Sequence, residues 1–182
     1  MRNVEIKARV NDLEQLLKTA EELAGSPCSE IEQHDTFFFS NEGRLKLRVE
    51  LVNGIRDAKL IFYDRPDESG AKLSNYSISP VSDPSALKHV LSNSLGIKDE
   101  LVKMRKVFMV GQTRVHVDHI PNHGHFMELE VVLSDHQNAE DGQAEAERLM
   151  EQLNIRKEDL LSGAYVDFLK VPAGTVSTAT KE

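Results

Sequence analysis

Strict alternation of polar and apolar residues is the feature that most restricts how this chain can fold. In residues 3–10, Glu5, Lys7 and Arg9 share one side of an extended segment and the apolar residues share the other, because successive side chains of a strand point to opposite faces. Similar alternation recurs along the chain and predicts strands at residues 2–10, 31–39, 44–51, 56–65, 72–79, 101–110, 113–120 and 126–133.

Short turns and four helices connect these predicted strands. Turn signals such as Asn53-Gly54 favour antiparallel hairpins and, for the whole sheet, a meander. Helices are predicted at residues 12–24, 84–95, 139–153 and 158–169. The first starts behind a capping Asp12 and stops at Gly25, and its apolar stripe needs an apolar surface to cover.

One face of the predicted sheet is strongly basic, although the chain as a whole carries a net charge of −8. The cations on this face are Lys7, Arg9, Arg44, Lys46, Arg48, Lys59, Arg65, Lys72, Lys103, Arg105 and Arg114. The acids on it are Glu5, Glu50, Asp118, Glu128 and Glu130, so the face has an excess of six positive charges.

Two arrangements of this face are compatible with the alternation. In an ordinary sandwich or barrel the charged faces would be solvated and the apolar faces would meet inside. In the inverted arrangement the charged faces line an interior and the apolar faces lie beneath the helices. Eight strands can enclose room for one small ligand, and crowded cations repel unless an anion lies among them. The inverted arrangement therefore predicts a barrel that binds a polyphosphate.

Bulk composition limits the alternatives. A chain of 182 residues fits one domain, which we predict at residues 1–170 with a disordered tail at 171–182. The acidic balance disfavours a nucleic-acid or membrane-surface partner. Cys28 is the only cysteine, and no apolar run reaches the roughly 20 residues of a membrane span. These features predict a cytoplasmic protein.

The acids of the charged face suggest a cation site. Glu128 and Glu130 are two residues apart and project from one face, and Glu5 and Asp118 could lie nearby. Carboxylates are hard oxygen ligands that suit Mg²⁺ or Mn²⁺, and these ions bridge phosphate oxygens. His116 and His119 fall on opposite faces of one strand, which argues against a shared zinc site.

Several motifs together resemble the CYTH superfamily, also called triphosphate tunnel metalloenzymes. They are VEIKARV at the start, HDTFFF at 34–39, GRLKLR at 43–48, LIFYDRPD at 60–67, KLSNY at 72–76, KMRKV at 103–107, RVHVD at 114–118, FMELEVV at 126–132 and LLSGAYVDFL at 160–169. The superfamily includes class IV adenylyl cyclases, thiamine triphosphatases and inorganic triphosphatases. The resemblance implies an α+β fold: an eight-stranded antiparallel β-barrel, the triphosphate tunnel, with a charged interior and helices outside.

The resemblance also implies roles for individual residues. Metal ligands would be Glu5, Glu128 and Glu130, with Asp118 as a helper and Mg²⁺ or Mn²⁺ as the ion. Triphosphate-binding residues would be Lys7, Arg44, Lys46, Arg48, Lys59, Lys72, Lys103 and Arg105, to which the alternation adds Arg9 and Arg114 from the same face. Catalysis would centre on Glu5, Lys7, Lys59 and Glu130. The chain departs from the family's opening E-x-E-x-K signature at Asn3, which removes one carboxylate from the metal region.

Three functions follow as hypotheses. The first is a metal-dependent triphosphatase, a hydrolase that acts on inorganic tripolyphosphate, a nucleoside triphosphate or thiamine triphosphate. The second is a class IV adenylyl cyclase, in which the ribose 3'-hydroxyl replaces water as nucleophile. The third is a non-catalytic polyphosphate- or nucleotide-binding protein. Each predicts a small triphosphate as partner, no nucleic acid or membrane, and a monomer or homodimer.

Overall fold

The barrel predicted from the alternation is present in the computed structural model, which describes residues 2–64, 70–162 and 165. Its strands are β1 (Arg2–Arg9), β2 (Ser29–Phe38), β3 (Arg44–Val52), β4 (Ile55–Asp64), β5 (Lys72–Pro80), β6 (Ile97–Val110), β7 (Thr113–Ile120) and β8 (Gly124–Val132). A two-residue strand, β9 (Leu160–Leu161), adds to β1. The pairing of β1 with β5 closes the eight longer strands into an antiparallel barrel.

The strand order differs from the predicted single meander. Two meanders are present, β2 to β5 and β6 to β8, and they join where β2 pairs with β6. β1 closes the barrel by pairing with both β8 and β5. Turn signals specify neighbours only for strands joined by short turns, whereas helices connect β1 to β2 and β5 to β6. β6 also begins at Ile97, four residues before the predicted start at 101.

Three predicted helices are confirmed, at α1 (Leu13–Ala24), α2 (Pro84–Leu95) and α3 (Ala139–Gln152). The Asp12 side chain accepts a hydrogen bond from the Gln15 backbone N–H at 3.0 Å, and Gly25 ends α1 with a φ of 65°. The start of the fourth predicted helix is wrong, because Lys157–Asp159 form a 3₁₀ turn and β9 follows. The rest of that segment, apart from Tyr165, lies outside the described residues, as does the predicted tail at 171–182.

The apolar core lies between the barrel's outer surface and the helices, as the inverted arrangement predicts. Ile6, Met127 and Leu129 point outward and pack against α1 and α3 through residues such as Leu16 and Leu149. These side chains are all buried, so the barrel faces that point away from the interior carry the hydrophobic stabilisation.

Close packing of α3 on β1 depends on a glycine. A Cβ at Gly142 would lie 2.6 Å from Val4 Cγ2 and 2.7 Å from Leu133 Cδ2, closer than atoms can pack without displacement. α2 covers its side of the barrel less tightly, since none of its twelve described residues is buried.

No helix among the described residues has the length and apolar character needed to cross a bilayer.

Candidate functional site

The barrel encloses a cavity of about 350 Å³ that is lined by charged side chains. This volume falls within the usual range for small-molecule sites. Among the described residues, the basic side chains that line it are Lys7, Lys46, Arg48, Lys59, Lys103, Arg105 and Arg114. The acidic ones are Glu5, Asp35, Glu50, Glu128 and Glu130. The excess of positive charge is therefore two instead of the predicted six, because Arg9, Arg44 and Lys72 do not line the cavity and Arg65 lies outside the described residues.

The basic wall of the tunnel comprises Lys46, Arg48 and Lys59 on β3 and β4, with Asp35 and Glu50 between them. Arg48 donates to both carboxylate oxygens of Asp35 at 2.7 Å, and Lys46 Nζ donates to the same carboxylate at 3.2 Å. Burial alone would raise the pKa of Asp35, but the positive charges of Arg48 and Lys46 hold it far below its ordinary value. Asp35 therefore stays ionised and fixes the two cations.

Of the two cations that Asp35 binds, Lys46 has the lowered pKa. Burial, followed by repulsion from Arg48, lowers the pKa of Lys46 to about 8. Lys59 lies nearer the solvent, with its side chain 35% exposed, and pairs at 2.9 Å with both Glu50 and Asp57. Gln33 Nε2 donates to the other oxygen of Glu50 at 2.6 Å. The basic wall is thus held by its own acids before any ligand enters.

Asp118 anchors two further cations from behind the cavity. Its side chain is fully buried and accepts from Arg105 Nε at 2.6 Å, Arg105 Nη2 at 2.7 Å and Lys103 Nζ at 3.0 Å. Burial, with repulsion from Arg105, lowers the pKa of Lys103 to about 7. Both oxygens of Asp118 are engaged by these cations, so it is placed to orient Arg105 and Lys103.

The acidic wall comprises Glu5, Glu128 and Glu130 on β1 and β8, with His116 on β7. The strand register places Glu5 opposite Glu130, and Glu128 opposite both Lys7 and His116. Lys7 Nζ forms an ion pair with Glu128 and lies 3.6 Å from Glu5 Oε1. Burial opposes ionisation of Glu128, yet Lys7, His116 and Arg105 hold its pKa well below the ordinary value.

Glu130 has fewer close cations than Glu128. Arg114 Nε, on a side chain 39% exposed, lies 3.1 Å from Glu130 Oε2. His116 Nε2 lies 4.0 Å from the same oxygen, beyond hydrogen-bond distance. Burial, and then repulsion from Arg105, lowers the pKa of His116. Glu130 therefore offers its carboxylate to the cavity more openly than Glu128 does.

Ligand atoms suited to a metal ion meet at this wall. One atom each from His116, Glu128 and Glu130 lies within 4.8 Å of the others. The buried Nδ1 of His116 and Oδ1 of Asn3 have no hydrogen-bond partner among the described residues, and both side chains line the same cavity. Oxygen and nitrogen donors of this kind fit a small divalent cation, so the residues present are compatible with the metal that the resemblance implies.

Some of the predicted site residues line the cavity and others do not. Of the predicted metal ligands, Glu128 and Glu130 join the three-residue cluster, Glu5 lines the cavity beside it, and Asp118 lies behind. Three predicted triphosphate-binding residues do not line the cavity: Arg9 lies over the Phe126 ring, Arg44 over the Tyr63 ring, and Lys72 is buried with Nζ 3.4 Å from the Leu161 carbonyl oxygen. Arg65 lies outside the described residues.

Sequence reasoning missed Asp35 and an apolar patch inside the tunnel. Asp35 was not predicted because β2 does not alternate cleanly. The inner face of β2 carries Ile31 and Phe37 beside Asp35, and the outer face of β2 is mostly polar. The apolar patch extends over neighbouring strands and consists of Phe37, Ile61, Tyr63, Tyr76 and Ile78. Lys46 Nζ lies 5.5 Å from the Phe37 ring centroid and 5.4 Å from that of Tyr63, so the patch adjoins the basic wall.

Comparison with known proteins agrees with this architecture. The sequence profile of the CYTH domain matches residues 1–165, and the chain therefore belongs to the CYTH domain family, whose members act on triphosphates. A search of curated protein sequences found no significant match.

Solved structures with the same fold are distant in sequence. The PH1819 protein from Pyrococcus horikoshii has a TM-score of 0.74 at 16% identity, over 92% of this chain and 97% of that one. A Vibrio parahaemolyticus protein described as a candidate adenylate cyclase has a TM-score of 0.73 at 16% identity, over 92% and 97%. A chain of the Schizosaccharomyces pombe Mediator head module has a TM-score of 0.66 at 10% identity, over 85% and 95%. Such different contexts mean that activity must be argued from the site itself.

Proposed function

We propose that this protein is a divalent-metal-dependent triphosphatase that hydrolyses a small triphosphate inside the tunnel. The observation that carries the proposal is the opposition of two walls in one cavity of about 350 Å³: cations on one side, and a carboxylate and imidazole cluster on the other. A phosphate chain needs the first wall and a bridging cation needs the second.

The basic residues would bind and align the phosphates. Lys46, Arg48 and Lys59, together with Lys103 and Arg105 on β6, are already aimed by buried or partly buried acids. Such fixed charges can stabilise the negative charge that spreads over the transferred phosphoryl group, because they need no reorganisation at the moment of reaction.

The carboxylates of the acidic wall would hold the ion, and they would release their present cation partners when metal and substrate bind. A bound Mg²⁺ or Mn²⁺ supplies Lewis-acid polarisation of a phosphoryl oxygen and a water of lowered pKa. Glu130, Glu128 and Glu5 would be its carboxylate sources. Lys7, which now pairs with Glu128, would move from that carboxylate to a phosphate oxygen, so that no buried charge is left alone.

The apolar patch favours a triphosphate that carries an organic ring. Phe37, Tyr63 and Tyr76 can stack on a nucleoside base or a thiamine ring, whereas inorganic tripolyphosphate has no group to bury there. The same patch would serve an adenylyl cyclase, in which the ribose 3'-hydroxyl attacks the α-phosphate. Cyclase activity is thus the second candidate. The cytoplasmic location and the choice between monomer and homodimer stay predictions.

A substrate panel tests the proposal. Purified protein is incubated with Mg²⁺ or Mn²⁺ and, separately, tripolyphosphate, ATP and thiamine triphosphate, with Glu130→Gln as the control for contaminating phosphatase. Orthophosphate release is the expected result, faster for a ring-bearing substrate than for tripolyphosphate. Cyclic AMP with pyrophosphate would identify the cyclase, and tight binding without turnover would replace the proposed enzyme by a binding protein.

A further inference from the structure

His116 is a buried imidazole on the inner face of the barrel, and the ligands named for the proposed triphosphatase are carboxylates only. Only 4% of its surface is exposed, and it lines the tunnel between the two carboxylates of β8. Its Nδ1 lies 3.6 Å from Glu128 Oε2, and its Nε2 lies 4.0 Å from Glu130 Oε2. Both separations are longer than an ordinary hydrogen bond, so the ring makes only long ion-pair contacts with the two carboxylates.

Such a position is costly for a side chain that serves only to fill space. A buried polar atom without a partner loses its hydration and gains nothing in return, and His116 Nδ1 has no hydrogen-bond partner among the described residues. A cation shared by the imidazole and the neighbouring carboxylates would satisfy that nitrogen. The ligand atoms of His116, Glu128 and Glu130 already lie within 4.8 Å of one another, which is close enough for one ion to reach all three.

We propose that His116 is a nitrogen ligand of the tunnel cation and makes the site prefer a first-row transition ion such as Mn²⁺ over Mg²⁺. Imidazole nitrogen suits transition metals, whereas Mg²⁺ favours an all-oxygen shell of carboxylates, phosphates and water. The inference rests on the proposed function only in placing the cation in the same tunnel.

The strand geometry separates His116 from the other nearby histidines. His119 and His125 stack with ring centroids 4.7 Å apart, and His119 projects from the opposite face of β7, where it is exposed. His119→Gln is therefore a matched control: it removes an imidazole from the same strand without touching the tunnel.

Pulsed electron paramagnetic resonance of the Mn²⁺-loaded full-length protein tests the proposal directly. The wild type and His119→Gln should both show coupling between the manganese electron spin and a ¹⁴N nucleus, and His116→Gln should lose it. The wild-type spectrum alone shows whether a nitrogen ligates the ion, and the comparison of His116→Gln with His119→Gln, both checked for folding by circular dichroism, assigns that nitrogen to His116. A wild-type spectrum without nitrogen coupling, or coupling that persists in His116→Gln, would overturn the assignment.

Metal titrations give the second measurement. His116→Gln keeps a polar side chain but offers oxygen instead of nitrogen, so its Mn²⁺ dissociation constant should rise on the order of 10-fold or more, while that of Mg²⁺ changes much less. Equal losses for both ions would contradict the preference. Nitrogen coupling without triphosphate turnover would refute the proposed enzyme and leave this inference standing, whereas turnover with an oxygen-only spectrum would refute the inference alone.

Discussion

The two walls of the tunnel contain the same residue types, but the acids of the basic wall are paired with cations more completely than Glu130 on the acidic wall. On the basic wall, Asp35 accepts two 2.7 Å hydrogen bonds from Arg48 and one of 3.2 Å from Lys46. On the acidic wall, Glu130 has a half-exposed Arg114 at 3.1 Å and an imidazole at 4.0 Å. The first wall is a completed network that positions charge, and the second can accept a further cation.

The comparison also explains how a tunnel lined by so many cations is stabilised. Seven basic side chains line the cavity among the described residues, and their mutual repulsion would oppose folding if no acids lay among them. Asp35 and Asp118 each bind two cations at 3.2 Å or less, and Glu50 binds Lys59 at 2.9 Å with Arg48 at 3.8 Å. These acids hold the cations in place, and a triphosphate would then add its own charge to a preformed site.

The largest expected effect comes from breaking the completed network. Arg48→Met leaves Asp35 buried without its bidentate partner, and removal of one member of a buried ion pair costs about 3–5 kcal/mol. Urea unfolding should show this decrease in the free energy of unfolding. Arg156→Met is the control, because Arg156 pairs with Glu158 and Asp159 at the surface, and such pairs contribute less than about 1 kcal/mol. Equal small losses would mean that the network does not stabilise the fold.

On the acidic wall, Glu130→Gln should reduce turnover strongly and the free energy of unfolding only slightly. The substitution removes a metal-binding charge while it keeps the shape, so metal-dependent turnover should fall on the order of 100-fold or more. The free energy of unfolding should change little, since the carboxylate has few close cations. Steady-state assays at saturating Mn²⁺ and urea unfolding measure the two quantities. Turnover that survives would remove Glu130 from the metal site.

Lys46→Ala should weaken substrate binding without destroying the chemistry. A hydrogen bond to a charged group contributes about 1.5–3 kcal/mol, so KM should rise roughly 10- to 100-fold while kcat changes less. Lys106→Ala is the control, because Lys106 pairs with Glu30 on the outside of the barrel. An unchanged KM for Lys46→Ala would exclude it from the substrate site.

A smaller effect should appear as pH dependence. The pKa of Lys103 is lowered to about 7 and that of Lys46 to about 8, and a bound polyanion favours the protonated forms. Binding must therefore take up protons above pH 7, and affinity for tripolyphosphate should fall with rising pH, by at most about 10-fold between pH 7 and 8. Calorimetry in buffers of different ionisation enthalpy measures the uptake. Lys103→Met should reduce it, and affinity that rises with pH would contradict the assignment.

Much of the site can be predicted from the alternation of side chains along single strands. Lys46, Arg48 and Glu50 alternate with leucine and valine, so their shared face can be read from β3 alone, and the same holds for Glu128 and Glu130 on β8. The inverted barrel also follows, because the apolar stripes of the helices need the opposite faces. Asp35 could not be found this way, since Ile31 and Phe37 share its face of β2.

The pairing of strands that are distant in the chain could not be predicted from the sequence. The order that joins β2 to β6 places Gln33 opposite Lys103. This neighbour cannot be inferred from the sequence, because turns specify only the strands that they connect directly, and no turn connects β2 to β6.

The sequence by itself determined which side chains share a face, since alternation is a local property of extended backbone. Only the tertiary structure decided which cation meets which acid, and so which wall is neutralised and which can still bind a metal ion. The physical reason is that charge pairing depends on distances across the barrel, and closure by β1 with β5 and β8 brings together residues more than a hundred positions apart, such as Lys7 and Glu128.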